Sequence, residues 1–462
     1  MTTARSRRRL ARTGCALVAA LAVGAVMPAA EARPPKGDTA RVSEGPKGEQ
    51  LNGYSYALGL SADGRSALFS STATDLLPGA GTPNAVEVYV RDLRNGHIER
   101  AGVADDGSPL NAATSDASIS ADGRYVAFST TATNVVPGQA KHAGDVYVRD
   151  RWTGRTELIS KGNLATDDDE TIRSADNPTL SQDGRYVAYA SNRTDLAPGV
   201  RRGKENVFVT DRWTHTTRLI TTGFDGTTAD NNSFRPTISA DGATVGFTSR
   251  ASNLVPQQPA ATTTTAGTGT AELLAGPRFY PYYVWKADTG RITGASVDGT
   301  TGELSGAGGD ARISPDGRFA LYGLPVYGAG RPGSHGIRMD LYARELATGT
   351  TTRINTFLPG TTTTEGAYAP AVTADGRWVY FDSGADNLVP GDTNQQNDVF
   401  RRDLRTGRIE RVTAAQDGSQ STGGSDSPYV DATGDTVVFT AEDANLVPGD
   451  NSTYLDVFLR RL

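Results

Sequence analysis

Short runs of apolar and polar residues recur along the chain, and turn-forming residues separate them. Residues 125–129 and 145–149 are two such runs, rich in β-branched and aromatic side chains, as is typical of strands. Asp-Gly and Thr-Gly pairs stand between runs, and such pairs adopt the positive φ angles of tight hairpin turns. The pattern therefore predicts many short antiparallel strands joined by hairpins.

This strand pattern repeats about every 60 residues. Each copy predicts four strands, A to D, which in the second copy fall at residues 117–120, 125–129, 145–149 and 156–160. Four-stranded units in tandem are the sequence mark of β-propeller blades. The turn between strands A and B lies at Asp63, Asp122, Asp183, Asp241, Asp316 and Asp375, with a degenerate seventh copy at Thr433 and Gly434.

The two ends of the repeat array indicate how the ring closes. The last copy has strands A, B and C, the third at residues 456–460, but no strand D follows it. Residues 39–43 match the strand D at residues 409–413. We therefore predict an all-β, seven-bladed propeller with four antiparallel strands per blade. Its N-terminal strand completes the last blade, which removes an exposed sheet edge.

Residues 1–32 have the features of an export signal. Five arginines precede an apolar run at residues 16–26, which is too short to span a bilayer. Small residues at Ala30 and Ala32 favour cleavage before Arg33. We expect secretion by the general or the twin-arginine route, and one propeller domain over residues 33–462.

The net charge and the cysteine content of the chain limit the classes of partner that we expect. The formal net charge is −6, and it becomes more negative once the five arginines and one glutamate of residues 1–32 are removed. Such a chain repels nucleic acid and anionic membrane surfaces. The only cysteine, Cys15, lies before the apolar run, so neither a lipid anchor nor a disulfide is expected. We expect a monomer that does not insert into membranes.

The turn between strands A and B carries a family resemblance. Ser314-Pro315-Asp316-Gly317-Arg318 is its clearest copy, and the pattern resembles the TolB-like, WD40-like (PD40) propeller repeat. The resemblance covers essentially the whole mature chain and implies the propeller fold. It implies little about function, because its residues are turn formers and function has to be argued from a site.

Long loops place a candidate ligand site over blades 4 and 5. The turns joining A to B and C to D share one face of a blade, whereas the long, varied loops share the other, where binding residues concentrate. Blade 4 carries an insertion over residues 257–281, and the loop of blade 5 is also irregular. The alternative is that Tyr282 and Tyr283 simply begin strand C and that the insertion is a surface loop. The candidate ligand-binding residues are Arg278, Phe279, Tyr280, Tyr327 and Arg331.

Acidic residues near the start of strand A predict a negatively charged channel mouth. They are Asp116, Asp176, Asp310 and Asp426. An acidic mouth is suited to a cation or a basic peptide. The alternative is that these residues cap turns and strand starts.

Two loops resemble the beginning of a calcium-binding loop. Asp392, Asn394 and Asp398 in blade 6, and Asp450 and Asp456 in blade 7, place oxygen-bearing side chains at similar spacings. Calcium requires six or more oxygen ligands, and each loop offers about three side chains. We therefore expect no cofactor, and calcium is the less favoured alternative.

Catalytic signatures are scarce. The four histidines are scattered, and the Gly-x-Ser-x-Gly motif of α/β-hydrolases is absent. We therefore predict a secreted, non-enzymatic scaffold whose loop-rich face binds a protein or carbohydrate. The alternative is a carbohydrate-active enzyme, a glycosidase or lyase, with paired carboxylates at the channel mouth.

Overall fold

The computed structural model describes residues 37–77, 85–138, 143–162, 173–256, 279–298, 302–308, 310–327, 337–442 and 445–462. These residues form seven antiparallel sheets arranged as the blades of a ring, which confirms the predicted all-β propeller. No helix of the described residues is long and apolar enough to cross a membrane. The predicted export signal at residues 1–32 and most of the blade 4 insertion lie outside the described residues.

Blades 1, 2 and 3 follow the predicted A–B–C–D order, and their A strands contact the A strands of neighbouring blades at the centre of the ring. In blade 2 the observed and predicted strands differ by up to three residues at their ends. Blade 1 contains Ser55–Leu60, Ser66–Ser71, Glu87–Asp92 and Ile98–Arg100; blade 2 contains Thr114–Ile119, Tyr125–Thr130, Asp145–Asp150 and Arg155–Leu158; blade 3 contains Ala175–Leu180, Tyr186–Ser191, Asn206–Asp211 and Thr216–Leu219.

Blades 4 and 5 are irregular and blades 6 and 7 return to the pattern. The short strand Gly306–Ala307 pairs with strand C of blade 4, and strands B and C of blade 5 form a long hairpin. Blade 4 contains Ser233–Ile238, Thr244–Ser249, Tyr280–Lys286 and Ile292–Gly294; blade 5 contains Arg312–Ile313, Phe319–Tyr327, Ile337–Glu345 and Thr351–Arg353; blade 6 contains Ala367–Val372, Trp378–Ser383, Asp398–Asp403 and Ile409–Arg411; blade 7 contains Ser425–Val430, Thr436–Ala441, Asp456–Arg461 and Thr39–Arg41.

The ring closes as the sequence predicts. Thr39–Arg41 pairs antiparallel with Asp456–Arg461, so that Thr39 lies opposite Arg460. The backbone N–H of Val42 then donates to the carbonyl of Val457 at 2.7 Å. The first described strand is thus the outer strand of the last blade.

Each blade contains one stacked aromatic pair between strands B and C. In blade 2, for example, Phe128 and Tyr147 stack with their ring centroids 5.7 Å apart, and both are fully buried. These rings fill the space between neighbouring blades, where burial of each contributes about 2–3 kcal/mol. The other six pairs are Phe69–Tyr89, Tyr189–Phe208, Phe247–Tyr283, Tyr322–Tyr342, Phe381–Phe400 and Phe439–Phe458.

The A–B and C–D turns lie together on one face of the ring, here called the turn face; the opposite side is the loop face. The motif serine explains the repeat: Ser120 donates its hydroxyl to Asp122 and accepts from the N–H of Tyr125. Backbone bonds then link the turns of successive blades, as from Ala121 to Gln182 at 2.9 Å. At the equivalent position of blade 5, Pro315 has no N–H to donate.

Candidate functional site

A pocket of about 550 Å³ opens on the loop face where blades 2, 3 and 4 meet at the channel mouth. We call it the loop-face pocket. It combines carboxylates, guanidinium groups and aromatic rings, which is the composition of many ligand sites. Its lining residues are Ser115, Asp116, Asp176, Asn177, Glu205, Phe234, Arg235, Thr248, Arg250, Tyr280 and Ala307.

One side of the pocket is acidic. Burial and, to a smaller extent, the nearby charge of Asp176 together raise the pKa of Glu205 to about 7. Burial likewise raises the pKa of Asp176 to about 6, with a contribution from Asp116. Because Asp176 and Glu205 share one partly dehydrated space, the charged forms of these two carboxyl groups are disfavoured.

The other side is basic and aromatic. The guanidinium of Arg250 lies 4.3 Å from the ring centre of Tyr280, within the range of cation–π attraction. The edge of one ring meets the face of the other between Tyr280 and Phe234, whose centroids are 6.0 Å apart. These contacts fix the ring of Tyr280 at the pocket wall.

Strand A is bulged where it meets the pocket. Asn177 and Arg235 occupy the same position in blades 3 and 4, with φ angles of 50° and 51°. The pairing with strand B shifts register just after each of them. The same bulge recurs at Ala369 in blade 6 and Ser427 in blade 7, so it belongs to the repeat, and it redirects the side chains beside it in each of these blades. In blades 3 and 4 the residue at the bulge and the one before it line the pocket.

The raised carboxyl pKa values predict a pH dependence of stability. A carboxyl group with a raised folded-state pKa stabilises the fold fully below its ordinary pKa of about 4–4.5, and this stability is lost as the pH rises through the folded value. We therefore expect the difference in melting temperature, Glu205→Gln minus wild type, to increase as the pH rises from 4 to 8. The exposed Glu365 supplies the control Glu365→Gln, which should follow the wild type. A difference between Glu205→Gln and wild type that is independent of pH would contradict this reasoning.

The opposite half of the mouth, in blades 5 to 7, is also acidic. Asp382 is 5% exposed, and its Oδ2 accepts from the side-chain amide of Asn397 at 3.1 Å. Burial and, to a smaller extent, the charges of Asp426 and Asp310 together raise the pKa of Asp382 to about 6. The four predicted mouth aspartates thus divide into two groups, with Asp116 and Asp176 in the loop-face pocket and Asp310 and Asp426 across the channel.

An arginine of blade 5 contacts a tyrosine of blade 7 across the channel. Arg312 of blade 5 reaches past blade 6, and its guanidinium lies 5.0 Å from the ring centre of Tyr429 in blade 7. It also donates to the Tyr429 hydroxyl at 3.4 Å. The side chain therefore occupies channel space below Asp310.

The residues predicted over blades 4 and 5 are not all brought together. Tyr280 lines the loop-face pocket, and Phe279 precedes it and is half-buried. Tyr327 lies at the end of the blade 5 hairpin, 62% exposed and outside the pocket lining. Arg278 and Arg331 lie outside the described residues. Tyr282 and Tyr283 are fully buried in strand C.

The two calcium-like loops hold an arginine beside their carboxylates. In blade 6, Arg411 pairs with Asp392 at 3.3 Å, and Asn394 donates to Asp398 at 3.0 Å. In blade 7 the equivalent arginine, Arg41, pairs with Asp450 at 2.8 Å and approaches Asp456 at 3.9 Å. Within the described ranges, no group of three or more His, Cys, Asp or Glu is placed to hold a metal ion.

We expect millimolar calcium to leave the melting temperature unchanged relative to a chelator. The guanidinium already supplies the positive charge between these carboxylates, and calcium would have to displace it. The measurement is a thermal melt with and without calcium. A calcium-dependent rise in melting temperature that Asp392→Ala or Asp450→Ala abolishes would overturn this expectation.

Three residues of the mouth were missed from sequence. Glu205 stands directly before strand C, where other blades have Val86, Gly144, Asn397 and Leu455. Arg250 directly follows strand B of blade 4. Asp382 is the fifth residue of strand B of blade 6, a position at which the other regular blades carry serine, threonine or alanine. Of the three, only Asp382 departs from an otherwise uniform position, so a comparison of blades could have revealed Asp382, whereas the positions of Glu205 and Arg250 vary among the blades.

Comparison with known proteins yields likenesses of structure only. No protein-family model matches the chain, and no curated protein matches it in sequence. Oligogalacturonate lyase from Vibrio parahaemolyticus is similar over 94% of this chain and 96% of its own, at 12% identity and a TM-score of 0.50. The β-propeller domain of the Trilobed protease from Pyrococcus furiosus is similar over 89% of this chain and 94% of its own, at 13% identity and a TM-score of 0.47. TolB from Acinetobacter baumannii is similar over 81% of this chain and 76% of its own, at 14% identity and a TM-score of 0.36. Likeness at these identities shows the propeller fold alone.

Proposed function

We propose that this protein is a glycan-binding propeller that holds a neutral, hydroxyl-rich ligand in the loop-face pocket. The observation that carries the proposal is the pocket itself, in which carboxylates, guanidinium groups and aromatic rings from three blades converge. A concave site with a few converging polar groups is the usual form of a small-ligand site.

The charge balance of the pocket favours an uncharged ligand. Arg235 and Arg250 offset the charges of Asp116 and Asp176, and Glu205 is about half protonated at pH 7. The net charge is therefore small, although many hydrogen-bonding groups are present. Carboxylates accept and guanidinium groups donate, so together they match hydroxyl groups, which do both.

Aromatic residues supply the apolar part of the interaction. Tyr280 and Phe234 line the pocket, and Tyr56 and Tyr368 lie at the start of strand A in blades 1 and 6, more than 40% exposed. Aromatic side chains provide a large apolar surface, and tyrosine adds a hydroxyl. A sugar ring offers both an apolar C–H face and a polar hydroxyl edge, so it suits this mixture.

Family and location form part of the same proposal. We infer that the chain belongs to the TolB-like, PD40 group of propellers and acts outside the cytoplasm. The Ser-x-Asp-Gly-Arg turn and its serine–aspartate hydrogen bond support the first inference. The arginine-rich, then apolar pattern of residues 1–32 supports the second.

A second candidate function is chemistry on a glycan. Asp116, Asp176 and Glu205 share the pocket, and the pKa of Glu205 is about 7. A carboxylic acid with a pKa near the working pH is suited to act as a general acid while a second carboxylate remains ionised. This observation favours a glycosidase or lyase over other enzyme classes.

The test is a glycan array followed by titration calorimetry with the best ligand. We expect binding of at least one neutral glycan, and the same ligand recovered chemically unchanged after long incubation, as judged by mass spectrometry. Cleavage products that disappear in Glu205→Gln would establish the enzymatic alternative. Binding only to acidic glycans, or to no glycan, would overturn the proposal.

A further inference from the structure

Two tryptophans stand out on the turn face, away from the loop-face pocket. Trp152 and Trp213 occupy equivalent positions in the C–D turns of the adjacent blades 2 and 3. They are 67% and 64% exposed, the highest values among the large apolar side chains of the described residues. Large exposed aromatic surface on a soluble protein is informative because folding alone does not favour it.

The propeller does not require a tryptophan at this position. The equivalent residue is Arg94 in blade 1, Ala347 in blade 5 and Arg405 in blade 6. Blades with small or charged residues there form the same turn, so the indole rings are not needed to build it. Tryptophan therefore occurs at this position in two neighbouring blades although the packing of the turn does not require it.

Each indole is held by an arginine. The guanidinium of Arg124 lies 4.8 Å from the ring centre of Trp152 and is paired with Asp150 at 2.6 Å. In blade 3, Arg185 lies 4.6 Å from Trp213, and it is paired in the same way with a carboxylate. A ring that is already fixed loses little conformational entropy when a ligand binds.

The two sites are joined across the blade boundary. The ring of Tyr125 lies between Arg124, at 4.7 Å, and Arg212 of the next blade, at 4.4 Å. Arg212 directly precedes Trp213 in the chain. The series Trp152, Arg124, Tyr125, Arg212 therefore connects one exposed indole to the backbone of the other, which gives both rings a fixed relative position.

We propose that Trp152 and Trp213 form a second binding surface, for a linear neutral polysaccharide whose sugar rings lie against the two indoles. The negative face of an aromatic ring attracts groups that carry partial positive charge, such as the C–H bonds of a sugar. Exposed Thr153 and Thr214 supply hydroxyl groups at the rim.

The charges around the indoles favour a neutral polymer. Four guanidinium groups beside the two indoles are each paired with a carboxylate, which weakens their attraction for a polyanion. The paired groups are Arg124 with Asp150, Arg151 with Glu99, Arg185 with Asp211, and Arg212 with Glu157.

The test is native electrophoresis through gels that contain a soluble polysaccharide. The neutral probes are β-glucan, mannan, xylan and starch, and the anionic probes are polygalacturonate and DNA. We expect at least one neutral probe to retard the wild type, and the association constant to fall at least about tenfold in Trp152→Ala and in Trp213→Ala. The control Phe224→Ala removes a similarly exposed ring in blade 3 and should leave retardation unchanged.

A second measurement keeps the outcomes separate. The two exposed indoles should be quenched by acrylamide and protected by the retarding polysaccharide. Trp285 is buried and Trp378 is half-buried in blade 6, so these two contribute a background that the polysaccharide should not change. Unchanged melting temperatures will show that the variants are folded. Retardation that survives in Trp152→Ala/Trp213→Ala, that occurs only with anionic probes, or that Tyr280→Ala alone abolishes would overturn the turn-face surface. Because the two surfaces lie on opposite faces, loss of one leaves the other testable.

Discussion

Deleting residues 37–45 will strongly destabilise the whole ring and promote aggregation. The deletion removes Thr39–Arg41, the outer strand of blade 7, and exposes the edge of Asp456–Arg461. It also removes Val42, which is fully buried, and the guanidinium that faces Asp450. Losing the partner of a buried charge costs about 3–5 kcal/mol, which is a large part of the stability of a typical domain.

The measurement is the free energy of unfolding, with the sedimentation profile as a test for aggregation. Lys47→Ala, at an exposed position just beyond the deleted segment, is the control and should behave as the wild type. A synthetic peptide of residues 37–45 should restore part of the lost stability, because it can pair with the free edge. An unchanged melting temperature in the deletion variant would show that ring closure contributes little.

Tyr280→Ala and Arg250→Ala will each weaken binding of the glycan ligand by about 1–3 kcal/mol, or roughly 5- to 150-fold. The two side chains stack on each other at the pocket wall, so either substitution removes contact area and frees the other side chain. Neither change should lower the melting temperature, because Arg250 is exposed and Tyr280 is only partly buried.

Tyr327→Ala is the matched control for this prediction. Tyr327 is an exposed tyrosine on the same face, but it lies on the blade 5 hairpin outside the pocket lining. Titration calorimetry should give wild-type affinity for this variant. Loss of affinity in Tyr327→Ala together with wild-type affinity in Tyr280→Ala would move the site to blades 4 and 5, as the sequence alone suggested.

The fold was predictable because its rules are local and repeated. In blades 1 to 5 the serine of the A–B turn donates to the aspartate two residues later, and Thr373 does the same in blade 6, so the motif specifies the hairpin wherever it occurs. Ring closure was predictable for a similar reason, since residues 39–43 resemble the strand D of blade 6. Small terminal differences, such as the ladder that ends at Arg41, depend on pairing geometry that no motif encodes.

The site was only partly predictable because it depends on contacts between blades. Asp116 and Asp176 were identified from their positions in strand A, and Tyr280 from an irregular loop, but nothing in the repeat indicated that they meet. Glu205 and Arg250 stand at positions that vary from blade to blade, so no departure from the repeat marked them. Their importance arises from the bulged strands and from the neighbouring blade, which are visible only in three dimensions.

The calcium-like loops illustrate the same limit. Oxygen-bearing side chains at suitable spacing suggested a cation site, and the spacing alone did not reveal that an arginine pairs with these carboxylates. Arg411 comes from strand D of the same blade, 19 residues after Asp392. Arg41 reaches Asp450 only because the ring closes on itself.

The most direct test of the loop-face pocket is a crystal structure of the protein with the glycan selected by the array. We predict electron density for the sugar between blades 2, 3 and 4, within hydrogen-bonding distance of Glu205 and Arg250 and in contact with the ring of Tyr280. Density confined to the opposite half of the mouth, beside Asp310, Asp382 and Asp426, or to the blade 5 hairpin, would contradict the account.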